Sequence, residues 1–308
     1  MKEALISLKR AEYMPLGLNT YCIGNKTECA HFEEDGATII PWGKNPDTGD
    51  FTLIESLRLL PNQTQLKKAT IPEFIKDLSN LKFLELPLPM ALNIKHDSLP
   101  KQLKTLMISN NSSNIENLKK QNVDLHFPDL NFPNLKGLWF YNGFGATELP
   151  GLLCINENNF LALEYIECFN NKNDTIQRDL KNFNKISFLH ISNIGNYDIF
   201  SHLSQSLEYL SIIGTKKEFD INQISYLKSI KCLWLNTLKM EVDCKLFTHL
   251  PNLQEINILN SKKIINIEYL THCEQLKSIY FLDCNKPFKT TKQLFNEDDY
   301  YRFSIKYS

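Results

Sequence analysis

Along most of the chain apolar residues recur in a six-residue frame, L-x-x-L-x-L, in which apolar and variable positions alternate. Alternation with period two predicts a short strand that buries one face and presents its variable residues on the other. The frame starts at Leu81, Leu103, Leu135, Leu163, Ile186, Leu207, Ile230, Leu253 and Leu276, and a weaker tenth copy starts at Ile54. From Leu163 onward the separations are 23, 21, 23, 23 and 23 residues, whereas those after Leu103 and Leu135 are 32 and 28. One such strand cannot cover its own apolar face. Parallel strands stacked about 4.8 Å apart cover one another and build a continuous core, so nine would span roughly 40 Å. The intervening segments Ile221 to Leu227, Phe247 to Leu250 and Tyr269 to Cys273 carry apolar residues at helical spacing, which predicts short helices or 3₁₀ turns on the opposite side. Before the array the pattern predicts a helix from Lys2 to Tyr13, broken at Pro15 and Gly17. A polar loop, an apolar stretch from Thr38 to Trp42 and a turn from Gly43 to Gly49 follow. The expected organisation is an N-terminal cap over residues 1–50, a repeat array over 51–285 and a C-terminal cap over 286–308, because an uncapped end would expose apolar surface.

From Phe51 to Asn285 the pattern resembles the leucine-rich-repeat family, and the stretch Ile71 to Leu86 (IPEFIKDLSNLKFLEL) looks like one full repeat. The family's Asn or Cys, eight residues after the first Leu, is matched by Asn111, Asn171 and Cys284. Ile194, Thr215, Leu238 and Ser261 depart from it, and the next apolar residue arrives late at Phe219, Val242 and Ile265. The resemblance implies an α/β solenoid, a horseshoe with a parallel concave sheet, about nine to ten repeats and two caps. The irregular copies argue against uniform curvature. It also implies a recognition scaffold that catalyses no reaction.

Composition is that of a globular chain, 43% hydrophobic and 22% charged. Thirty-four Lys and Arg against thirty-five Asp and Glu leave a net charge of −1, so no global field draws the chain to nucleic acid or to an anionic membrane. The first fifteen residues lack an apolar core of signal-peptide length, and no run reaches eighteen apolar residues. Eight scattered cysteines suit reduced thiols, and a cytoplasmic location is expected. Cys22, Cys29 and His31, near Glu33, Glu34 and Asp35, have ligand chemistry but no C-x-x-C spacing, so buried thiols without metal or cofactor are expected. The tail after Cys284 is too short to hold a catalytic domain with a nucleophilic cysteine.

The variable positions are the candidate site. Their centres read Glu85, Met107, Trp139, Glu167, His190, Ser211, Trp234, Asn257 and Tyr280, with Phe83, Tyr141, Tyr165, Phe169, Phe188 and Tyr209 beside them. Large aromatics supply contact area at low entropic cost and dominate interface hot spots. The expected partner-binding set is therefore Trp139, Tyr141, Tyr165, Glu167, Phe169, His190, Tyr209, Trp234 and Tyr280. A ladder of rings that merely shield one another is the bland alternative. Glu85 and Glu167 are too far apart for paired-carboxylate chemistry. His190 with Glu167 and Ser211 has the residue types of a hydrolytic triad but no oxyanion hole. Lys82, Lys104 and Lys136 give way to Glu164, Ser187 and Glu208 in later frames, a charge gradient that could face an acidic partner or simply solvent. The loop from Ile115 to Asn131 is a further candidate contact. The expected partner is one protein, a toxin or a target enzyme, bound by a chain that is monomeric when free. By the resemblance the leading expectation is a bacterial immunity protein neutralising a cognate toxin. The alternatives are an effector that binds a host protein and a regulatory scaffold for an endogenous enzyme.

Overall fold

Within each unit the period-two frames become parallel strands in register. A computed structural model describes residues 4–67, 70–110, 130–142, 159–169, 180, 183–195, 198–203, 205–284 and 302–306, the last of these by backbone alone. Asn111, Asn171, residues 286–301 and nearly all of the loop from Ile115 to Asn131 lie outside the described residues. The chain forms two compact units, Tyr13–Ile176 and the combination of Met1–Glu12 with Gln177–Ser308. Two helices open the sequence, α1 (Leu5–Ala11) and α2 (Lys26–Glu34).

In the unit Tyr13–Ile176 the strands are β1 (Thr20–Gly24), β2 (Thr38–Pro41), β3 (Ser56–Leu60), β4 (Phe83–Pro87), β5 (Thr105–Asn110), β6 (Gly137–Asn142) and β7 (Tyr165–Phe169). Five frames align residue for residue, with Leu57, Leu84, Leu106, Leu138 and Ile166 in one row. Each of these is at most 2% exposed, so the row is the spine of the core. The weak copy at Ile54 is thus a true repeat. Residues 1–50, expected to be a cap, contain β1 and β2, which extend this sheet beyond β3 in the order β2, β1, β3. Their signal was faint because T-Y-C-I-G and T-I-I-P carry no leucine frame. Helix α2 packs on both strands, starting at Asn25, whose side chain accepts from Thr27 N. Gly24 is obligatory at that junction, since a Cβ there would lie 2.4 Å from Leu60 O and 2.8 Å from Cys29 Sγ.

In the second unit β8 (Phe188–Ile194), β9 (Tyr209–Thr215), β10 (Cys232–Asn236), β12 (Glu255–Leu259), β14 (Ser278–Leu282) and β15 (Arg302–Lys306) are successive parallel neighbours, while β11 (Val242–Asp243) and β13 (Ile264–Ile265) form a separate small pair. Leu189, Leu210, Leu233, Ile256 and Ile279 make the corresponding buried row. The return segments are 3₁₀ turns at Ile221–Tyr226, Cys244–His249 and Ile267–His272, as the apolar spacing predicts. Asp220 and Asp243 cap the first two by accepting from the backbone N–H two residues on. A left-handed residue turns the chain seven positions after each frame start, at Asn193, Gly214, Thr237, Asn260 and Asp283. The eighth position satisfies backbone groups at Cys284, which matches the family residue, and at Ser261, which does not. Cys284 Sγ donates to Ile258 O at 3.3 Å, and Ser261 Oγ accepts from Leu238 N and donates to Leu259 O.

Candidate protein-binding surface

The outward-facing positions of β3 to β7 form the row Arg58, Glu85, Met107, Trp139 and Glu167. Arg58 pairs with Glu85 across the strands, both side chains being 13% exposed or less. The guanidinium also sits 4.5 Å from the ring centre of Phe32 on α2 and 5.1 Å from that of Phe83. Further along, Trp139 meets Phe83 edge-on at 6.2 Å and Tyr165 at 6.0 Å. Tyr165 in turn stacks on Tyr13 at 4.3 Å, and its hydroxyl donates to Glu167. Tyr13 reaches this position because Gly137 offers no side chain; a Cβ there would lie 3.1 Å from Tyr13 Cδ1. At the C-terminal end of the strands Tyr141 is 42% exposed. It stands on a groove of about 470 Å³ lined by His31, Phe32, Arg58, Glu85 and Met107 among others.

In the second unit the outward row is His190, Ser211, Trp234, Asn257 and Tyr280. Helix α1 lies on this face against β9 and β10. The N–H of Leu5 donates to Glu255 Oε2 at 3.1 Å, and Asn257 Nδ2 donates to Glu255 Oε1 at 2.7 Å. Glu255 and Asn257 are fully buried although they occupy variable positions. Ile6 is the buried anchor of the helix and Leu8 is 48% exposed. The Tyr209 hydroxyl is pushed up from its ordinary value by burial and by Glu208, with Lys9 of α1 acting in the opposite sense.

Eight of the nine residues expected to form one open surface therefore fall into three groups. Trp139, Tyr165, Glu167 and His190 are buried at 8% exposure or less. Tyr209, Trp234 and Tyr280 are half-buried, and Tyr141 is exposed. The side chain of Phe169 lies outside the described residues, its backbone pairing with Tyr141. The residues that sequence reasoning missed are those that do the covering. The helix at the N-terminus was legible, but nothing in its sequence names the face it lies on. The one available signal was Gly137, a residue without a side chain at a strand position where others carry rings.

Two lysines of the charge gradient along the second frame position, and Lys231 of a later frame, are paired. Lys82 meets Glu55, Lys136 meets Glu164 at 3.2 Å and Lys231 meets Glu208 at 2.8 Å. Exposed pairs of this kind contribute little to stability and reduce the charge offered to a polyanion. Burial pushes the thiols of Cys22 and Cys273 up to about 12 and about 11, and raises those of Cys29, Cys168, Cys244 and Cys284 as well. Protonated, enclosed thiols of this kind are poor nucleophiles at neutral pH. Cys29 is packed against Gly24, and His31 lies against Phe32 at 3.8 Å. Among the described residues no cluster of three or more His, Cys, Asp or Glu side chains could hold a metal ion, and no helix is long and apolar enough to cross a membrane.

A repeated strand frame in strict register, 3₁₀ returns and a left-handed turn at one fixed position decide the architecture. Each unit is a leucine-rich-repeat solenoid. No protein-family model matches the sequence, and no curated protein matches it. Among solved structures, the chain is similar to an internalin of Listeria monocytogenes at 15% identity, covering 83% of this chain and 82% of that one with a TM-score of 0.46. It is similar to internalin C2 of the same organism at 18% identity, covering 77% and 83% with a TM-score of 0.42. It is also similar to TLR13, solved in complex with ssRNA13, at 19% identity and a TM-score of 0.48; this match covers 83% of the present chain and 36% of TLR13.

Proposed function

We propose that this chain is a non-catalytic recognition module that binds one dedicated protein partner through the open parts of its variable face. The specific role proposed is that of a bacterial, cytoplasmic immunity protein that holds a cognate toxin inactive and is monomeric when free. The observation that carries the recognition reading is Tyr141, a large aromatic 42% exposed that helps line a groove of about 470 Å³. An aromatic anchor beside a pocket is the arrangement from which interface hot spots are built. Half-buried Trp234 and Tyr280 offer a similar patch in the second unit. The paired lysines and the net charge of −1 favour a protein over a nucleic acid. The raised thiols and the packing of His31 on Phe32 favour binding over chemistry at those residues.

The test is co-purification of the tagged chain from its native cytosol, wild type beside Tyr141→Ala and Trp234→Ala, with bound proteins identified by mass spectrometry. One stoichiometric protein is expected, whose toxic activity falls on addition of the purified chain. Its affinity should drop roughly 30-fold in at least one variant, the loss of a hot spot worth about 2 kcal/mol. A stoichiometric partner that both variants retain at full affinity overturns the use of this face. No partner in any sample overturns the immunity role and favours an effector whose target lies in another cell.

A further inference from the structure

Helix α1 occupies, within its own unit, the kind of surface that a leucine-rich-repeat sheet ordinarily offers to something else. It is held chiefly at its start, where Ala4 and Ile6 are buried. Of the seven residues from Leu5 to Ala11 only Ile6 is buried, Leu8 is 48% exposed, and the helix has no side-chain N-cap. Its link to β12 is the N–H of Leu5 donating to Glu255 Oε2. A seven-residue helix is too short to be stable by itself, so its helicity depends on this docking. Where the helix starts, the sheet offers a buried polar pair, Glu255 and Asn257. Glu255 is fully buried, one oxygen taking the Leu5 amide and the other bound by Asn257, with Cys232 Sγ 3.7 Å away. A carboxylate set against the first amide of a helix satisfies a donor that the helix itself leaves unpaired. Cationic Lys9 and Arg10 close the opposite end. After α1 the chain passes Pro15 and Gly17, the latter in the left-handed region at φ 71° with open space around it, and Leu16 is 65% exposed.

We propose that the face formed by β9, β10 and β12 is a receptor for a short helix, that α1 is its resident occupant, and that a partner enters by presenting a helix of the same chemistry and displacing α1. Such a helix has a free first amide for Glu255, one β-branched aliphatic anchor in place of Ile6, and basic residues in its last turn. The assignment to a partner builds on the recognition role proposed above; the receptor itself can be tested without the partner. While α1 is docked, the apparent affinity for any competing helix is reduced by the fraction of molecules with the face open.

The probe is an N-acetylated, fluorescein-labelled peptide of residues 4–14, read by anisotropy against the full chain. Ile6→Asp in the chain removes the anchor of α1. The full-length variant is expected to bind the wild-type peptide at least about tenfold more tightly than the wild-type chain does. It should not bind a peptide that itself carries Ile6→Asp. Equal or weaker peptide binding by the variant overturns the proposal. So does loss of cooperative unfolding in the variant, which would make α1 part of the core. Hydrogen exchange on the wild-type chain supplies a readout free of any substitution. The Leu8 amide, bonded to Ala4 O, should exchange on the order of 100-fold faster than that of Ile256 in β12. Equal rates would mean that α1 leaves only with global unfolding, and would overturn the proposal too. A positive peptide result with no captured partner would count against the recognition role and leave the helix receptor standing.

Discussion

Thr237 is the residue least suited to its backbone. The left-handed turn that closes each repeat of the second unit is made by Asn193, Gly214, Asn260 and Asp283, residue types that tolerate positive φ, but Thr237 adopts φ 56° with a branched Cβ. Its side chain is exposed, so little packing is lost on replacement. Thr237→Asn should gain about 1 kcal/mol from relief of that strain. Differential scanning calorimetry should show the unfolding midpoint rising by about 2–4 °C. A similar contrast separates two neighbours on β6. Trp139 is buried against Phe83 and Tyr165, so Trp139→Ala should cost about 3–5 kcal/mol of stability. Tyr141→Ala, at an exposed position, should change stability by no more than about 0.5 kcal/mol. Urea titration of both variants checks this. Equal effects on stability would mean that Tyr141 is as much a packing residue as Trp139. This pair also marks what the sequence could and could not tell. Alternation alone assigns both side chains to the outward face. It does not say that Tyr13 will stack on Tyr165, the neighbour of Trp139, or that Trp139 will be buried and Tyr141 exposed.

At the scale of elements, the strand frame was readable because its physical cause is local. An apolar residue every second position must be buried, and a neighbour with the same pattern in parallel register buries it, which is why Leu189, Leu210 and Leu233 fall in one row. Leu189→Ala should cost about 2–5 kcal/mol, since Leu189 is fully buried and its loss would open a cavity at the start of that row. A chemical-denaturation midpoint unchanged from wild type would mean that the row does not carry the unit's stability. The 3₁₀ returns were legible for the same reason. Harder to read were β1, buried between β2, β3 and α2, and β2, a half-exposed strand that pairs with β1, since neither carries the repeated frame. The position of α1 was not legible at all. Its anchor is a single aliphatic residue and a backbone amide, and every peptide has an amide. The turn position was missed for a different reason. Attention to the eighth residue of each frame passes over the seventh, where Asn, Gly and Asp recur for conformational rather than hydrogen-bonding reasons.

For the molecule as a whole, the enclosed thiols set a limit at alkaline pH. An unfolded cysteine loses its proton near 9, whereas Cys273 and Cys22 hold theirs to about 11 and about 12. Below pH 9 both states keep the proton and no stability depends on pH through these groups. Above it the unfolded chain releases protons that the native chain retains, so stability falls as pH rises from about 9 toward 12. The urea midpoint should accordingly be lower at pH 10.5 than at pH 8, and a midpoint that rises over that interval would contradict the burial of these groups. At pH 8 the same thiols should resist iodoacetamide in the native chain and react within minutes in denaturant, as read by intact mass.

The register of the sheet is indifferent to what lies between the strands. Thirty-two residues separate Leu103 from Leu135, and twenty-three separate Ile230 from Leu253. Yet Thr105 faces Gly137 and Cys232 faces Glu255 at the same place in the ladder. Segment length and surface chemistry are therefore separate variables in this chain. An insertion behind the sheet can lengthen a repeat without moving any outward side chain, and a single substitution in front can rewrite one contact without disturbing the rest. A chain built in this way can change what it binds one residue at a time.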